Sequence, residues 1–481
     1  MNRRMILYIL GRILFVEAIL MLPSVLVGIL YSEKETSSFF IPLIILALVG
    51  GFLGFKKPKT TAIYARDGFF IVAAAWLLMS LAGALPLFIS GSYPTYIDAF
   101  FEIVSGFSTT GASVLTNLDA VPHCILFWRA FSQWVGGMGV LVFVLAIMPL
   151  SEDRSLCLMR AEVPGPIVGK LVPRMRDTAK ILYAVYAAMT VLLAMFLLCG
   201  GMPLFDSLCH SFSTAGTGGF SVKTEGLSFY HSTYIDMVIA IFMLLFGINF
   251  NLYYFLLIKR FRDVFRSEEL RWYILIVIGS TLAIATNLYS TMQNVGESLH
   301  HAFFQASTTI TTTGYSTFDF ALAPQFTQHL LLLLMISGGC AGSTAGGLKV
   351  SRLILLIKNF FQELRRLLHP RAVTTVRLEG KSIDSATIRS TLTYFAAYIL
   401  IICISTLLLS LDRFDLVTNL SAEISCFNNI GPGLGAVGPM SSFGGYSPFS
   451  KLLLSFNMLL GRLEIMPLLI LFTPNVWRKY S

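Results

Sequence analysis

Residues 307–317 read STTITTTGYST, a run of six threonines around a single glycine, Gly314, in a chain that is 55% hydrophobic. Moving a small cation into a low-dielectric interior costs on the order of tens of kcal/mol unless oxygens replace its water shell. A strip of bare backbone can supply those oxygens, and glycine lets the chain turn its carbonyls inward where a side chain would clash. The threonines add a second constraint, since β-branching restricts χ1 and works against a long helix. The chemistry this pattern suggests is coordination of a dehydrated ion.

One strip cannot surround an ion, so companions are required, and three exist. FSTTGAS spans 107–113, STAGTGGFS spans 213–221 and FNNIGPG spans 427–433. Aligned on Gly111, Gly218, Gly314 and Gly431, they recur roughly every hundred residues, a long internal repeat. Phe100, Phe101 and Glu102 stand before Gly111 as Phe303, Phe304 and Gln305 stand before Gly314. The candidate ion-facing residues are Thr109, Thr110 and Gly111; Gly216, Thr217 and Gly218; Thr312, Thr313 and Gly314; and Asn429, Ile430 and Gly431. The plainer reading is that small residues let membrane helices approach closely. Four clusters in matching positions argue for the strips. Potassium channels line their filters with backbone of similar Thr/Gly/Tyr composition.

The strips need elements to hold them. Short segments precede them near 98–108, 205–214, 297–308 and 420–428, too short to cross a bilayer. Entering from outside as half-helices, they would point their C-terminal ends, with partial negative charge, at a central cavity. Irregular backbone survives at membrane depth only where protein or water surrounds it. Below the third strip, SGGCAGSTAGGLK spans 337–349. Gly338, Gly339, Gly342, Gly346 and Gly347, with Ser343 and Thr344, should break the helix there and form either a flexible gate or a tight packing seam. A phosphate loop is excluded because Leu348 stands where lysine is required. Arg462 in MLLGRLEIMP is an intramembrane charge and therefore a functional candidate. It either pairs with Glu464 or faces the glycine-rich loop and the cavity; residues two apart on a helix do not face each other, which favours the second.

With 13% charged residues and a mean hydropathy of +0.74, the chain is expected to be an all-α polytopic membrane protein. Apolar runs near 5–30, 39–55, 69–90, 124–149, 181–199, 235–258, 272–292, 327–357, 391–411 and 449–473 predict ten crossings. The first run is expected to be an uncleaved helix rather than a signal peptide. The strips fall between alternate later spans, so the expected units are two extra helices in 1–66 and four helix/pore-loop/helix repeats in 67–150, 151–270, 271–370 and 371–481. Most of the 35 Lys and Arg residues gather in alternate loops, while the opposite side carries only Lys34, Arg129, Lys223, Arg413 and Lys451. The positive-inside rule then makes both termini cytoplasmic and puts every strip on the outer side. Half of the 26 acidic residues lie in outer segments, which should concentrate cations there. The net charge of +9 is thus an orientation signal, and no nucleic-acid motif accompanies it. Seven scattered cysteines and seven histidines show no metal spacing, and no nucleophile–base pair suggests an enzyme.

The four strips, the GGCAGSTAGGLK loop and the Gly461–Arg462 pair together resemble the Trk/Ktr/HKT superfamily of potassium transporters over nearly the whole chain. The resemblance implies four pore repeats on one pseudo-fourfold axis, usually in a homodimer with a pore per protomer, working as a channel-like transporter or symporter in the cytoplasmic (inner) membrane. It maps the filter glycines to Gly111, Gly218, Gly314 and Gly431, the gating loop to Gly338 through Gly347 and the gate-facing arginine to Arg462. Some relatives carry serine at the first filter glycine and favour sodium, so Gly111 implies potassium as the bound ion. The resemblance also implies a cytosolic NAD- and ATP-binding regulatory subunit resembling TrkA; this chain has no nucleotide motif of its own. The basic segments 154–180, 259–271 and 349–389 would dock that subunit or meet lipid headgroups. The rival function is ion-coupled transport of a small organic solute, for which paired discontinuous spans around a polar pocket are the signature.

Overall fold

The computed structural model describes residues 2–58, 65–139, 175–370 and 375–472. Helices α1 (Arg3–Leu30) and α2 (Phe40–Phe55) are joined by a 3-10 turn and pack along each other. Gly11, Gly50 and Gly54 make that possible: a side chain on Gly50 would lie 2.6 Å from the Phe15 amide nitrogen, so only small residues allow the approach.

Four units follow, each a long helix, a short helix, a strip and a second helix. The first holds α3 (Ala65–Ile89), α4 (Tyr96–Phe107) and α5 (His123–Gly137), and the second α6 (Met175–Cys199), α7 (Leu204–Gly216), α8 (Thr233–Phe246) and α9 (Phe250–Leu257). A one-and-a-half-turn helix, α10 (Phe261–Arg266), leads to the third: α11 (Glu268–Met292), α12 (Val295–Ile310), α13 (Gln325–Ser337) and α14 (Val350–Leu368). A small hairpin, β1 (Arg377–Leu378) with β2 (Lys381–Ser382), precedes the fourth: α15 (Ser385–Leu409), α16 (Leu416–Phe427), α17 (Pro448–Arg462) and α18 (Met466–Leu469).

Three of the four short helices start on side-chain caps, while α7 starts after Pro203 without one. Thr95 Oγ1 accepts from the Asp98 amide (3.2 Å), Asn294 Oδ1 from Gly296 (3.0 Å) and Asp415 Oδ2 from Thr418 (3.2 Å), satisfying amides that a helix leaves unmatched. At 12 to 16 residues they rise at most about 24 Å, short of the hydrocarbon core. Each second helix packs on its own short helix and on that of the next unit: α5 on α7, α8 on α12, α13 on α16 and α17 on α4. The last contact returns to the first unit, so the four close into a ring.

Among the described residues six helices are long and apolar enough to cross a membrane, or eight if two bent pairs each count once. Ten crossings were expected. The run at 124–149 is described only to Gly139, and the run at 327–357 breaks after Ser337, where the glycines predicted it. Two breaks were not anticipated: 235–258 bends by 90° between α8 and α9, and 449–473 by 117° between α17 and α18. Large apolar side chains such as Phe52 (84% exposed) and Leu407 (71%) cover the outer surface, as lipid contact requires and water would not favour.

Candidate ion pathway and inner loop

The four strips begin identically. After each short helix one residue turns left-handed: Thr109 at φ 58°, Thr217 at 55°, Thr312 at 55° and Asn429 at 57°. Its successor's amide then bonds back to the helix end, Thr110 to Ser105 (2.8 Å), Gly218 to Ser213 (2.8 Å), Thr313 to Thr308 (2.9 Å) and Ile430 to Ser425 (2.9 Å). A left-handed non-glycine residue costs about 1–2 kcal/mol, so the surroundings hold all four in place. The glycine two positions later is again left-handed: Gly111, Gly219, Gly314 and Gly431.

These glycines lock the strips together. A side chain on Gly111 would lie 2.0 Å from the Gly218 carbonyl oxygen, one on Gly219 2.0 Å from that of Thr313, one on Gly314 1.9 Å from that of Ile430, and one on Gly431 2.8 Å from that of Thr110. Each glycine therefore sits against the carbonyl of the next strip, and the fourth sits against the first. The circle of contacts leaves no room for a Cβ and brings all four strips to one passage.

The structure corrects the second strip by one residue. Gly218 aligns with Thr110 and Thr313, so the matching glycine is Gly219, and the triplet is Thr217, Gly218 and Gly219. Gly216 closes α7, where a side chain would lie 2.4 Å from the Gln133 carbonyl oxygen; it is a packing glycine. The motif TGG offered two glycines, and the backbone uses the later one. With this register the short helices align too. Glu102, His210 and Gln305 each stand nine residues before the glycine, and Ser113, Ser221 and Ser316 two after it. Ser113 Oγ donates to Glu102 Oε1 (2.8 Å), Ser221 Oγ meets His210 Nε2 (3.4 Å), and Gln305 Nε2 donates to Ser316 Oγ (2.9 Å). The fourth unit has Ala422 and Gly433 there, and Ser425 Oγ instead donates to the Gly431 carbonyl (2.7 Å).

Outside the strips lies a cavity of about 190 Å³ bordered by Gly111, Gly219, Gly314 and Gly431. Its charged lining comprises Arg129, Lys223 and Glu225. The outer acids expected to draw cations are largely engaged elsewhere. Asp98 pairs with Lys451 (2.6 Å), Glu102 with Arg129 (2.7 Å) and Asp236 with His300 (3.1 Å), while Glu33 accepts from the amides of His123 and Cys124 (2.6 and 2.9 Å). Acids held this way are committed to structural contacts within the protein.

Beneath the strips, residues 338–348 form a loop between α13 and α14, with Gly338, Gly342 and Gly347 left-handed. The loop touches two strips: the Gly346 amide donates to Thr312 Oγ1 (2.7 Å), and a side chain on Gly346 would lie 2.3 Å from the Asn428 carbonyl oxygen. Gly339 sits against Ala345, and Gly338 and Gly347 against each other. The break between α8 and α9 is filled by this loop. Cys340 N donates to the Gly247 carbonyl (3.0 Å), Thr344 Oγ1 to Phe246 (3.2 Å), and Phe250 N to Gly342 (3.1 Å), so backbone groups freed at membrane depth regain partners. Ser343 Oγ closes the loop on the Cys340 carbonyl (2.6 Å).

Arg462 faces the loop. Its Nη1 donates to the Thr344 carbonyl (2.8 Å) and its Nη2 to those of Gly136 and Gly137 (2.6 Å each), tying the loop to the end of α5. Glu464 pairs with Arg352 of α14 instead. Just below, Met466 N bonds to the Glu464 carbonyl (2.6 Å) around Ile465 at φ 64°, ψ −62°, a γ-turn of the rare, strained kind that makes the 117° bend.

A sequence profile of the TrkH family, described as "Cation transport protein", matches residues 35–479. The Trk system potassium uptake protein TrkH of Salmonella typhimurium is 38% identical over the whole of both chains, and TrkG of Escherichia coli is 35% identical over 99% of each. The crystal structure of the potassium transporter TrkH from Vibrio parahaemolyticus superposes with a TM-score of 0.89 at 35% identity, over 99% of this chain and all of that one. The chain belongs to the TrkH family. It is a multi-pass membrane transport protein, built as four helix, pore-loop, helix repeats with two additional helices at the start.

Several side chains that hold this TrkH-family pathway were not singled out in the sequence. Gln133, on α5, donates to the Gly218 carbonyl (2.7 Å) and accepts from Phe220 N (3.2 Å). Asn457, on α17, donates to buried Glu423 (2.8 Å) and to Ser405 Oγ (2.8 Å). Asn429, already a candidate for its place in the fourth strip, also bridges that strip through Nδ2 to Thr110 Oγ1 (2.9 Å) and the Met458 carbonyl (2.9 Å). The available signal was an uncharged polar residue inside an apolar run, which is costly unless bonded.

Proposed function

We propose that this chain takes up potassium across the cytoplasmic membrane through a filter made by the four strips, and that residues 338–348 with Arg462 gate it from below. The observation that carries the reading is the closed circle of glycine-to-carbonyl contacts. Four copies of one backbone turn meet around one passage, which is what replacing an ion's water shell demands. The short helices direct the negative ends of their dipoles inward, favouring a cation there. The ion is the cargo. Strips 1, 3 and 4 would present Thr110, Gly111, Thr313, Gly314, Ile430 and Gly431, and strip 2 Gly218 and Gly219. Intact glycine at position 111 supports potassium over sodium, and the relatives named above are potassium uptake proteins.

In this reading both termini are cytoplasmic, as the basic loops favour, and the strips open outward. The loop blocks the exit below Thr312 and Asn428 until it moves. A nucleotide-binding subunit of the TrkA kind would control it by docking on the basic cytoplasmic segments, and two protomers would form a homodimer with separate pores. The rival solute transporter called for paired discontinuous spans. Two bent spans exist, but loop backbone fills the break between α8 and α9, the bend after α17 is closed by its own backbone bonds, and four half-helices accompany them.

Expression in a bacterium lacking its own potassium uptake tests the proposal. Growth at micromolar to low millimolar potassium is expected, and failure despite membrane insertion counts against it. Gly314→Ser should lower potassium over sodium selectivity; an unchanged permeability ratio would remove that strip from the filter.

A further inference from the structure

Glu269 belongs to neither the strips nor the loop, yet it is bonded to both ends of the loop. Its Oε1 accepts from Ala341 N (2.8 Å) near the loop's start and from Ser351 N (3.1 Å) in the first turn of α14. The residue is 8% exposed, and among the described residues no ion pair includes it. A carboxylate matched by backbone amides at a helix start is well placed electrostatically. The bonds it makes are therefore strong ones in a poorly solvated setting.

The other side of Glu269 leads away from the membrane interior. Its own amide donates to Glu379 Oε1 (3.1 Å), which also accepts from Ser267 Oγ (2.9 Å), the cap of α11. Glu379 lies in the turn between β1 and β2, left-handed at φ 52°. Neighbouring Glu268 pairs with Lys358 of α14, whose Nζ also donates to the Arg377 carbonyl of β1 (2.8 Å). Hairpin, start of α11, loop and α14 thus form one bonded assembly.

We infer that Glu269 is a positioning residue, the latch that holds the loop seated beneath the strips, and that the hairpin turn at Glu379 anchors it. The inference rests on the gate reading of 338–348. Arg462, Thr312 and the α8–α9 break hold the middle of the loop; Glu269 ties its beginning to its far side through one oxygen. Removing that oxygen leaves two amides unmatched and unties both ends. The released population should rise about tenfold, the usual consequence of losing charge-assisted hydrogen bonds.

The test uses purified full-length protein in liposomes, with rubidium tracer uptake and the rate at which a small cationic thiol reagent modifies Cys340, resolved by mass spectrometry. Cys340 is fully buried within the loop, so its modification reports loop release. Glu269→Ala is expected to raise basal uptake and Cys340 modification about tenfold. Glu269→Gln keeps an oxygen in place and should restore most of the closed behaviour, which a merely structural role would not. A variant with 338–347 shortened is the control. If shortening raises uptake while Glu269→Ala leaves both readouts at the unmodified protein's level, the latch is overturned and the gate stands. If shortening is also silent, the gate reading itself has failed. Should Glu269→Ala not fold, Glu269→Asp decides: one methylene shorter, it cannot reach both amides, and an unchanged Cys340 rate would sink the inference.

Discussion

The outer and inner halves of the pathway treat symmetry in opposite ways. On the outer side four strips share one backbone course, a left-handed residue, one residue bonded back to the short helix, and a left-handed glycine, although the side chains differ from Thr110 to Gly218 to Ile430. On the inner side the four second helices all give way at a corresponding place, yet each does so differently. The end of α5 passes through Gly136 to Gly139, α8 bends by 90°, α13 opens into a long loop and α17 turns through a γ-turn. In the function proposed above, a spherical cargo would ask the same of every quarter and a gate would ask one quarter to move, which fits a backbone that repeats at the strips and diverges at the loop.

The severest way to break the outer half is to unbalance its supports. Glu102 and Arg129 are both buried behind the first strip, joined at 2.7 Å, with Ser113 bonded to the same carboxylate. Removing one partner of such a pair costs about 3–5 kcal/mol. Glu102→Leu should therefore lower the detergent-solubilised melting temperature markedly, whereas Gln305→Leu, which removes a neutral brace, should cost about 1 kcal/mol. Equal shifts, read by fluorescence-detected size exclusion after heating, would deny the pair its special weight.

The register of the second strip supplies the next test. At Gly219 an added Cβ meets the Thr313 carbonyl at 2.0 Å in a left-handed backbone, whereas at Gly218 it meets the movable end of the Gln133 side chain. Gly219→Ala should reduce uptake by roughly a hundredfold, from combined strain and clash, and Gly218→Ala only severalfold. The reverse order in a tracer assay would return the filter position to Gly218.

How much of this was readable beforehand follows from what sequence encodes locally. The half-helices, the strips and the broken span at 338–347 were legible because glycine and threonine clusters act through their own backbone. The one-residue error at Gly218 arose where two adjacent glycines make the local signal degenerate, and only contact with Thr313 separates them. The bend at Gly247 was hidden for a related reason: its segment carries no internal proline or glycine run, and its break is stabilised by distant loop backbone. The bend at Ile465 did have a local signal, Pro467 two residues on, a breaker that the apolar run around it outweighed. A count of acids by side could not show that Asp98, Glu33 and Asp236 have partners within the fold, because those partners come from distant parts of the chain.

On the inner side, Arg462→Ala removes three bonds to carbonyls at once, those of Thr344, Gly136 and Gly137. With the loop untied from α5, basal uptake is expected to rise about tenfold. None of the three carbonyls belongs to a strip, so selectivity should be kept. Higher flux with a changed potassium-to-sodium ratio would mean that the two halves are not separable.

The smallest effect is expected from making the ring more regular. Asn429 occupies the left-handed position that threonine fills in the other three strips, and asparagine tolerates that conformation better. Its amide also bridges Thr110 Oγ1 and the Met458 carbonyl, two partners that one hydroxyl cannot reach together. Asn429→Thr should accordingly keep the backbone course, because Thr109, Thr217 and Thr312 show that it is accessible to threonine, while losing the tie between the fourth and first strips. Uptake should fall about two- to threefold, in line with one neutral hydrogen bond of about 0.5–1 kcal/mol, with the permeability ratio unchanged. A large loss of selectivity would show that the tie between strips, rather than the shared backbone, sets the width of the passage.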